Sequence, residues 1–321
     1  MTKNTQSPPV TSTKPLEILS LVRYASEILT SWEVPHTSLT PQNTEEGGAD
    51  PVSPPVSGCS PRGEIGEAFV ELSNSLGIEP VDLERVKTLS PTLVLTDCEK
   101  LDAESDRVRC EKELSRYIGN EVRLVALRAR TLEGLYGTIE KIGEVSGKAP
   151  LAREMCNRLK AQIMDWCDAF YDRMKNKRVT VLSSVTPLRL AGMWIPDLVK
   201  GASCIPQYNA VGGGPKEVTW KEIQEFRPDV IVVAPEGFDL EESVKTLRFL
   251  ERCPTWESVP AVKRGEVVFC DGMGLYLPGP RMLSGVAQLI SGIAGLESGY
   301  ITDRDSFYRL RWVELHRHRF K

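Results

Sequence analysis

The chain reads as an α/β protein of two Rossmann-like lobes, each built on a mainly parallel sheet and joined by a long helical backbone region. Three observations predict this. First, the stretch from Lys177 to Ile293 alternates strand-like and helix-like segments: KRVTVLSS (177–184), AGMWIPDLVKGASC (191–204), VTWKEIQEFRPDVIVVAP (218–235), GEVVFCDG (265–272) and PGPRMLSGVAQLISGIA (278–294). Such alternation implies parallel strands with helices on both faces. Second, a shorter series of strands and helices occupies the N-terminal part, and a sustained helical stripe separates the two. Third, the loops after the strands carry aromatics, glycines and prolines where a catalyst would need acids, bases or nucleophiles. That pattern points to a protein that holds a ligand without transforming it.

In chain order, residues 1–15 are polar and proline-containing, which predicts a disordered N-terminus. Leu16–Val22 reads as a first strand and Tyr24–Trp32 as the helix after it. The segment 33–63 is dominated by Pro, Gly, Ser and Thr and has no period, so it reads as a long insertion in the N-terminal lobe. A helix is expected over Glu64–Leu76. VDLERVKTLSPTLVLTD (81–97) reads as a short helix stopping near Ser90-Pro91, then a buried strand ending at Asp97. A helix in the second half of 99–119 and a strand over 122–127 complete the N-terminal lobe, 16–130.

The linking region, 131–176, begins with a helix over 131–147, with Gly147 as its C-cap. Leu151, Met155, Leu159, Ile163, Trp166, Phe170 and Met174 then recur at intervals of three or four, as on one helix face. At about 1.5 Å per residue such a helix is roughly 35 Å long, enough to run across two lobes. The C-terminal lobe occupies 177–296 and a C-terminal tail 297–321, whose basic run RLRWVELHRHRFK (309–321) reads as a solvated helix end or fray. Within the lobe, Thr219 and Glu222 have capping-box spacing. VGGGP (211–215) lacks the Gly-Lys-Ser/Thr of a phosphate loop and reads as a mobile loop.

Composition excludes several classes. The chain has 321 residues, 41% of them hydrophobic and 26% charged, with a formal net charge of −4. Nothing supplies the concentrated positive charge of a nucleic-acid-binding protein. No apolar run approaches the length of a membrane span, so membrane insertion is not expected. The eight cysteines show no metal-knuckle or redox-pair spacing. No apolar run follows Met1 as in an export signal. Read with the unpaired cysteines, this predicts reduced thiols and a cytoplasmic location.

Five segments together resemble the type III periplasmic-binding fold, in particular its cobalamin- and iron-complex-binding branch. They are LERVKTLSPTLVLTD in the N-terminal half and, in the C-terminal half, AGMWIPDLVKGASC, VTWKEIQEFRPDVIVVAPEGFDLEE, TWESVPAVKRGEVVFCDG and PGPRMLSGVAQLISGI. The resemblance covers roughly residues 16 to 295. It implies a small-molecule ligand, a corrinoid such as cobalamin or an iron chelate, held in a cleft between two lobes. The family's loop after its second N-lobe strand falls within 33–63, which carries only His36 and Cys59.

A corrinoid or metal chelate is a large, flat, mostly apolar disc with a polar rim, matched by aromatic faces and amide edges. Trp194 and Tyr276 follow separate strands and are ligand-binding candidates, with Phe238 and Gly192 beside them. Asp97 and Cys98, at an N-lobe strand end, are candidates for the opposite wall. Each has a plainer alternative: Trp194 caps the core, and Asp97 caps the next helix. Arg281 starts a helix, where a cation is unfavourable for the dipole. It meets either a ligand carboxylate or phosphate, or an acid at the lobe interface. Glu236 and Asp239 read as solvated or capping residues.

Catalysis has little support, since the three histidines (His36, His316, His318) pair with no nucleophile. Two readings compete with ligand carriage. One is a ligand-free interaction scaffold of unknown protein partner. The other is a metal-dependent enzyme using the strand-end carboxylates Asp97, Glu236, Asp239 and Asp271.

Overall fold

The computed structural model describes residues 16–39, 80–101, 103–297 and 307–310, together with Leu72 and Leu76. The N-terminus 1–15, most of the 33–63 insertion and the tail beyond 310 lie outside the described residues. Of the helix expected over 64–76, Leu72 and Leu76 are described, and both are helical and buried. The described residues group into two compact units.

The first unit takes its described residues from 1–22, 35–42 and 60–126. Four strands, β1 (Ile18–Ser20), β2 (Thr37–Ser38), β3 (Leu93–Thr96) and β4 (Arg123–Ala126), form a sheet in the order β2-β1-β3-β4. Every pairing is parallel. Strand β3, LVLT, is buried throughout, as an interior strand covered on both faces must be. The helix Pro80–Leu89 stops where expected, at Ser90 in a left-handed conformation before Pro91. The helix Glu104–Ile118 closes on Gly119, whose positive φ of 78° lets its N–H reach Ser115 O. Leu83, Val86, Leu101, Cys110 and Leu114 pack on β1, β3 and β4 as one apolar core.

The second unit takes its described residues from 23–34 and from 127 onward. Its strands are β5 (Arg178–Val185), β6 (Leu188–Leu190), β7 (Ile205–Pro206), β8 (Lys216–Glu217), β9 (Val230–Val233), β10 (Val267–Phe269) and β11 (Tyr308–Leu310). The order is β11-β10-β9-β5-β6-β8, with β7 also on β5. The centre, β10-β9-β5, is parallel, as the alternation predicts. Both edges are antiparallel, which the sequence reading did not anticipate. At one edge Tyr308–Leu310 pairs with β10, so the start of the basic tail is a strand and not a fraying helix. Arg309 is fixed there by Glu266 and by Gly292 O at 2.6 Å. Lys177 Nζ donates to Ile293 O at 2.7 Å. Two cations thus satisfy the last carbonyls of the helix Met282–Ala294, where the helix dipole favours them.

The linking helical region is two long helices and a third of four residues. Thr131 caps Leu132–Val145 by accepting from Gly134 N. Gly147 (φ 74°) turns the chain, and Lys148 N donates to Gly143 O. Ala149–Ala169 then packs back on the first helix. A Cβ on Gly143 would lie 2.4 Å from that of Ala152, so this glycine sets the approach of the two helices. Met155, Leu159, Ile163 and Trp166 are buried as the stripe predicts. Leu151 is 39% exposed, and Ala152 takes the buried place in that turn. The helix ends at Ala169, and Tyr171–Met174 forms a separate short turn, so no single helix spans the region.

Candidate functional site

The three parallel strands of the second unit end in register. Leu182, Val233 and Phe269 are aligned across β5, β9 and β10. The ladder runs one step further, with Ala234 N donating to Leu182 O and Cys270 N to Val233 O. Glu236 N then donates to Ser183 O at 3.1 Å. Loops at this edge of a parallel sheet are where α/β proteins place ligands. Two such loops, Pro235–Asp239 and Asp271–Tyr276, are stitched together by Met273 N donating to Phe238 O at 2.9 Å. They touch so closely that a Cβ on Gly272 would fall 1.9 Å from Pro235 O.

The polar groups here differ in how they are satisfied. Asp271 caps the turn Gly272–Tyr276 through Gly274 N, and Asp239 and Glu242 form a capping box at Leu240. These acids are structurally engaged. Tyr276 is buried, and its hydroxyl has no partner among the described residues; the same is true of Ser183 Oγ. Burial, then the negative charge of Glu236 and the Cys270 thiol, push the Tyr276 phenol well above its ordinary pKa. Glu236 is not a cap. Its side chain is open to solvent, yet desolvation raises its carboxyl pKa. Exposure and desolvation coexist when a side chain stands in a concave, protein-rich surrounding that withholds full hydration.

The other sequence-predicted residues fall into different roles. Trp194 is 3% exposed, and its indole N–H donates to Leu275 O at 3.2 Å. It therefore braces the 271–276 loop from the interior and offers no open face to a ligand. Gly192 is a packing glycine: a Cβ there would meet Gly213 O at 2.3 Å, so the glycine loop lies directly against it. That loop is pinned, since Gly213 O accepts from Met193 N at 2.6 Å. Phe238 is half-buried. In the first unit Asp97 is exposed and Cys98 half-buried beside the apolar core, at the end of β3.

Arg281 is exposed and belongs to a cluster that the sequence reading missed. Arg23 Nε lies 3.5 Å from Glu27 Oε1, and Arg281 Nε lies 3.6 Å from Glu27 Oε2. Both guanidiniums also point at the Met273 thioether, at 3.2 Å from Arg23 and 3.8 Å from Arg281. Gly279 (φ 134°) makes this possible by bringing its loop against Ile28. One signal was available. Arg23 opens the helix Arg23–Ser31, where a cation is unfavourable for the dipole, by the same argument that singled out Arg281.

Among the described residues, no group of three or more His, Cys, Asp or Glu could hold a metal ion. The seven described cysteines are unbridged, and no described helix is long and apolar enough to cross a membrane.

Comparison with known proteins places this geometry. The family model of the periplasmic binding proteins matches residues 68–273, well over half of the chain. The uncharacterized ABC transporter substrate-binding lipoprotein YvrC of Bacillus subtilis is 25% identical over 267 residues, covering 80% of this chain and 78% of that protein. Among solved structures, Staphylococcus aureus IsdE complexed with heme superposes with a TM-score of 0.60 at 16% identity, covering 87% of this chain and 99% of that one. The periplasmic vitamin B12 binding protein BtuF of Vibrio cholerae gives a TM-score of 0.55 at 15% identity, covering 88% and 98%. The expected cytoplasmic location is overturned by these findings: a transporter lipoprotein and periplasmic proteins point outside the cytoplasm. The inference from Met1 onward rested on residues outside the described ones. The two α/β units and the family match agree, and the chain belongs to the periplasmic binding protein family.

Proposed function

We propose that this chain is a non-catalytic substrate-binding protein that holds a corrinoid, such as cobalamin, or an iron chelate, and passes it to an ABC-type importer. Proteins whose structures are described as binding heme or vitamin B12 have a similar fold, and a transporter lipoprotein is similar in sequence. The observation that carries the reading is the strand-end edge of the second unit. There the Tyr276 and Ser183 hydroxyls are buried without partners among the described residues, beneath half-buried Phe238 and the exposed Glu236 carboxyl. A buried hydroxyl left unpaired costs about 1–3 kcal/mol, so an opening of this edge that admitted a ligand rim would satisfy two of them. The capping roles of Asp239 and Asp271 leave too few free carboxylates there for a metal-dependent catalyst.

The test is a titration with cobalamin, cobinamide, hemin and a ferric siderophore, read by absorbance and thermal shift. A ligand at a hundredfold excess over its dissociation constant stabilises the fold by about 2.7 kcal/mol. A shift with one of them that weakens in Tyr276→Phe supports the reading. Failure of all four would favour a scaffold that has lost its ligand.

A further inference from the structure

The cluster of Arg23, Glu27, Met273 and Arg281 carries two positive charges and one negative. Its geometry leaves donors to spare. Each guanidinium has five N–H groups in a fixed fork. Glu27 faces the Nε of both, at 3.5 and 3.6 Å. Of the terminal nitrogens, Arg23 Nη2 and Arg281 Nη1 point at a thioether, one of the weakest acceptors a protein offers. Both side chains keep solvent access, 41% exposed for Arg23 and 59% for Arg281, while Glu27 between them is 25% exposed. The arginines are therefore held in place by the less exposed carboxylate and aimed, with net positive charge, at a weak placeholder. Exchanging a thioether for an oxyanion converts weak contacts into charge-assisted hydrogen bonds, the geometry in which arginine forks bind best. The cluster also lies on the candidate loop, because Met273 is the residue whose N–H ties the two strand-end loops together.

We propose that Arg23 and Arg281 form an anion subsite that holds a carboxylate or other oxyanion on the edge of the bound chelate, so that this chain selects anionic chelates over neutral ones. The proposal rests on the chelate-binding reading above and narrows its ligand class. Glu27 acts as the positioning residue that holds both guanidiniums through their Nε atoms.

The experiment compares hemin, which carries two carboxylates, with its neutral dimethyl ester of nearly the same shape, alongside cobinamide and cyanocobalamin. The full chain is used, and dissociation constants are read by absorbance titration at low and high salt. Hemin should bind about tenfold or more tighter than the ester, with the gap narrowing as salt rises. In the Arg23→Gln/Arg281→Gln double variant the gap should close through loss of hemin affinity, while the ester is held as before. Arg281→Lys should close it in part, because a point charge does not replace the fork. Equal binding of hemin and ester by the unaltered protein, or a gap that survives in the double variant, overturns the subsite. Binding of cobinamide alone also overturns it but leaves the chelate reading standing. No binding of any of the four, nor of a ferric siderophore, removes both.

Discussion

The sheets of the two units end differently. In the first unit the last residue of β3, Thr96, is buried, yet its hydroxyl is fully employed: it donates to Leu76 O at 3.1 Å and accepts from Cys98 N at 3.3 Å. In the second unit the buried hydroxyls of Ser183 and Tyr276 at the equivalent edge are employed by nothing among the described residues. The same kind of group thus serves as mortar in one sheet and stays unpaired in the other. A fold optimised for stability alone would remove an unpaired hydroxyl, because its desolvation is not offset. The contrast locates where the second unit has given up stability for something else.

The largest expected effect tests whether Trp194 belongs to the mortar. Trp194→Ala empties a nearly closed interior site and frees the Leu275 carbonyl. It should cost about 3–5 kcal/mol in denaturant unfolding. Cys98→Ala, at a half-buried strand end of the first unit, should stay within about 1 kcal/mol. A mild loss for Trp194→Ala would mean that the indole is free to face a ligand after all.

The sharpest form of the comparison is one of opposite signs. Thr96→Val keeps shape but strands Leu76 O and Cys98 N, so it should destabilise by about 1–3 kcal/mol. Tyr276→Phe removes a hydroxyl with nothing to lose and should stabilise the ligand-free protein by about 1 kcal/mol. The same variant should bind its ligand less tightly. Paired melts of the two variants check this, and a destabilised Tyr276→Phe would show that the hydroxyl already has a structural partner. Thr131→Ala is the calibrating change: it deletes the helix cap on Gly134 N and should cost about 1 kcal/mol, whatever the ligand.

Much of this was legible in the chain, and for physical reasons. Apolar runs such as Val230–Val233, and Ser90-Pro91 as a helix stop, are local signals, and so are the Thr219–Glu222 box and Asp239 as a capping residue. The edge strands were not legible, because two- and three-residue pairings such as β6 with β8, or β11 with β10, are specified by partners far away in sequence. The site was half legible. Aromatic residues after strands pointed to the right loops, but whether Trp194 faces in or out depends on a carbonyl 81 residues away. Arg23 and Arg281 stand 258 residues apart, and Glu27 and Met273 join them only through the fold.

The smallest effect bears on Glu236, the one acid at this edge that caps nothing. Desolvation raises its folded-state pKa above the ordinary value of 4.5. For a carboxyl raised in the folded state, the protonated form is the one the fold favours. Its relative contribution is fully present below the unfolded-state value and is lost as pH rises through the raised folded value. Above that point the folded protein carries an under-hydrated negative charge that the unfolded chain hydrates freely. Glu236→Gln removes the charge and keeps the shape. Unfolding midpoints of protein and variant should therefore lie close together near about pH 4 and separate by about pH 8, with the variant the more stable. The separation should be small, because the exposed carboxylate retains part of its hydration. A bound ligand that hydrogen-bonds to Glu236 should shrink it further by supplying what solvent does not. Midpoints that run parallel across this range would show a fully hydrated carboxylate, and the edge of the second sheet would then differ from the first only in its two hydroxyls.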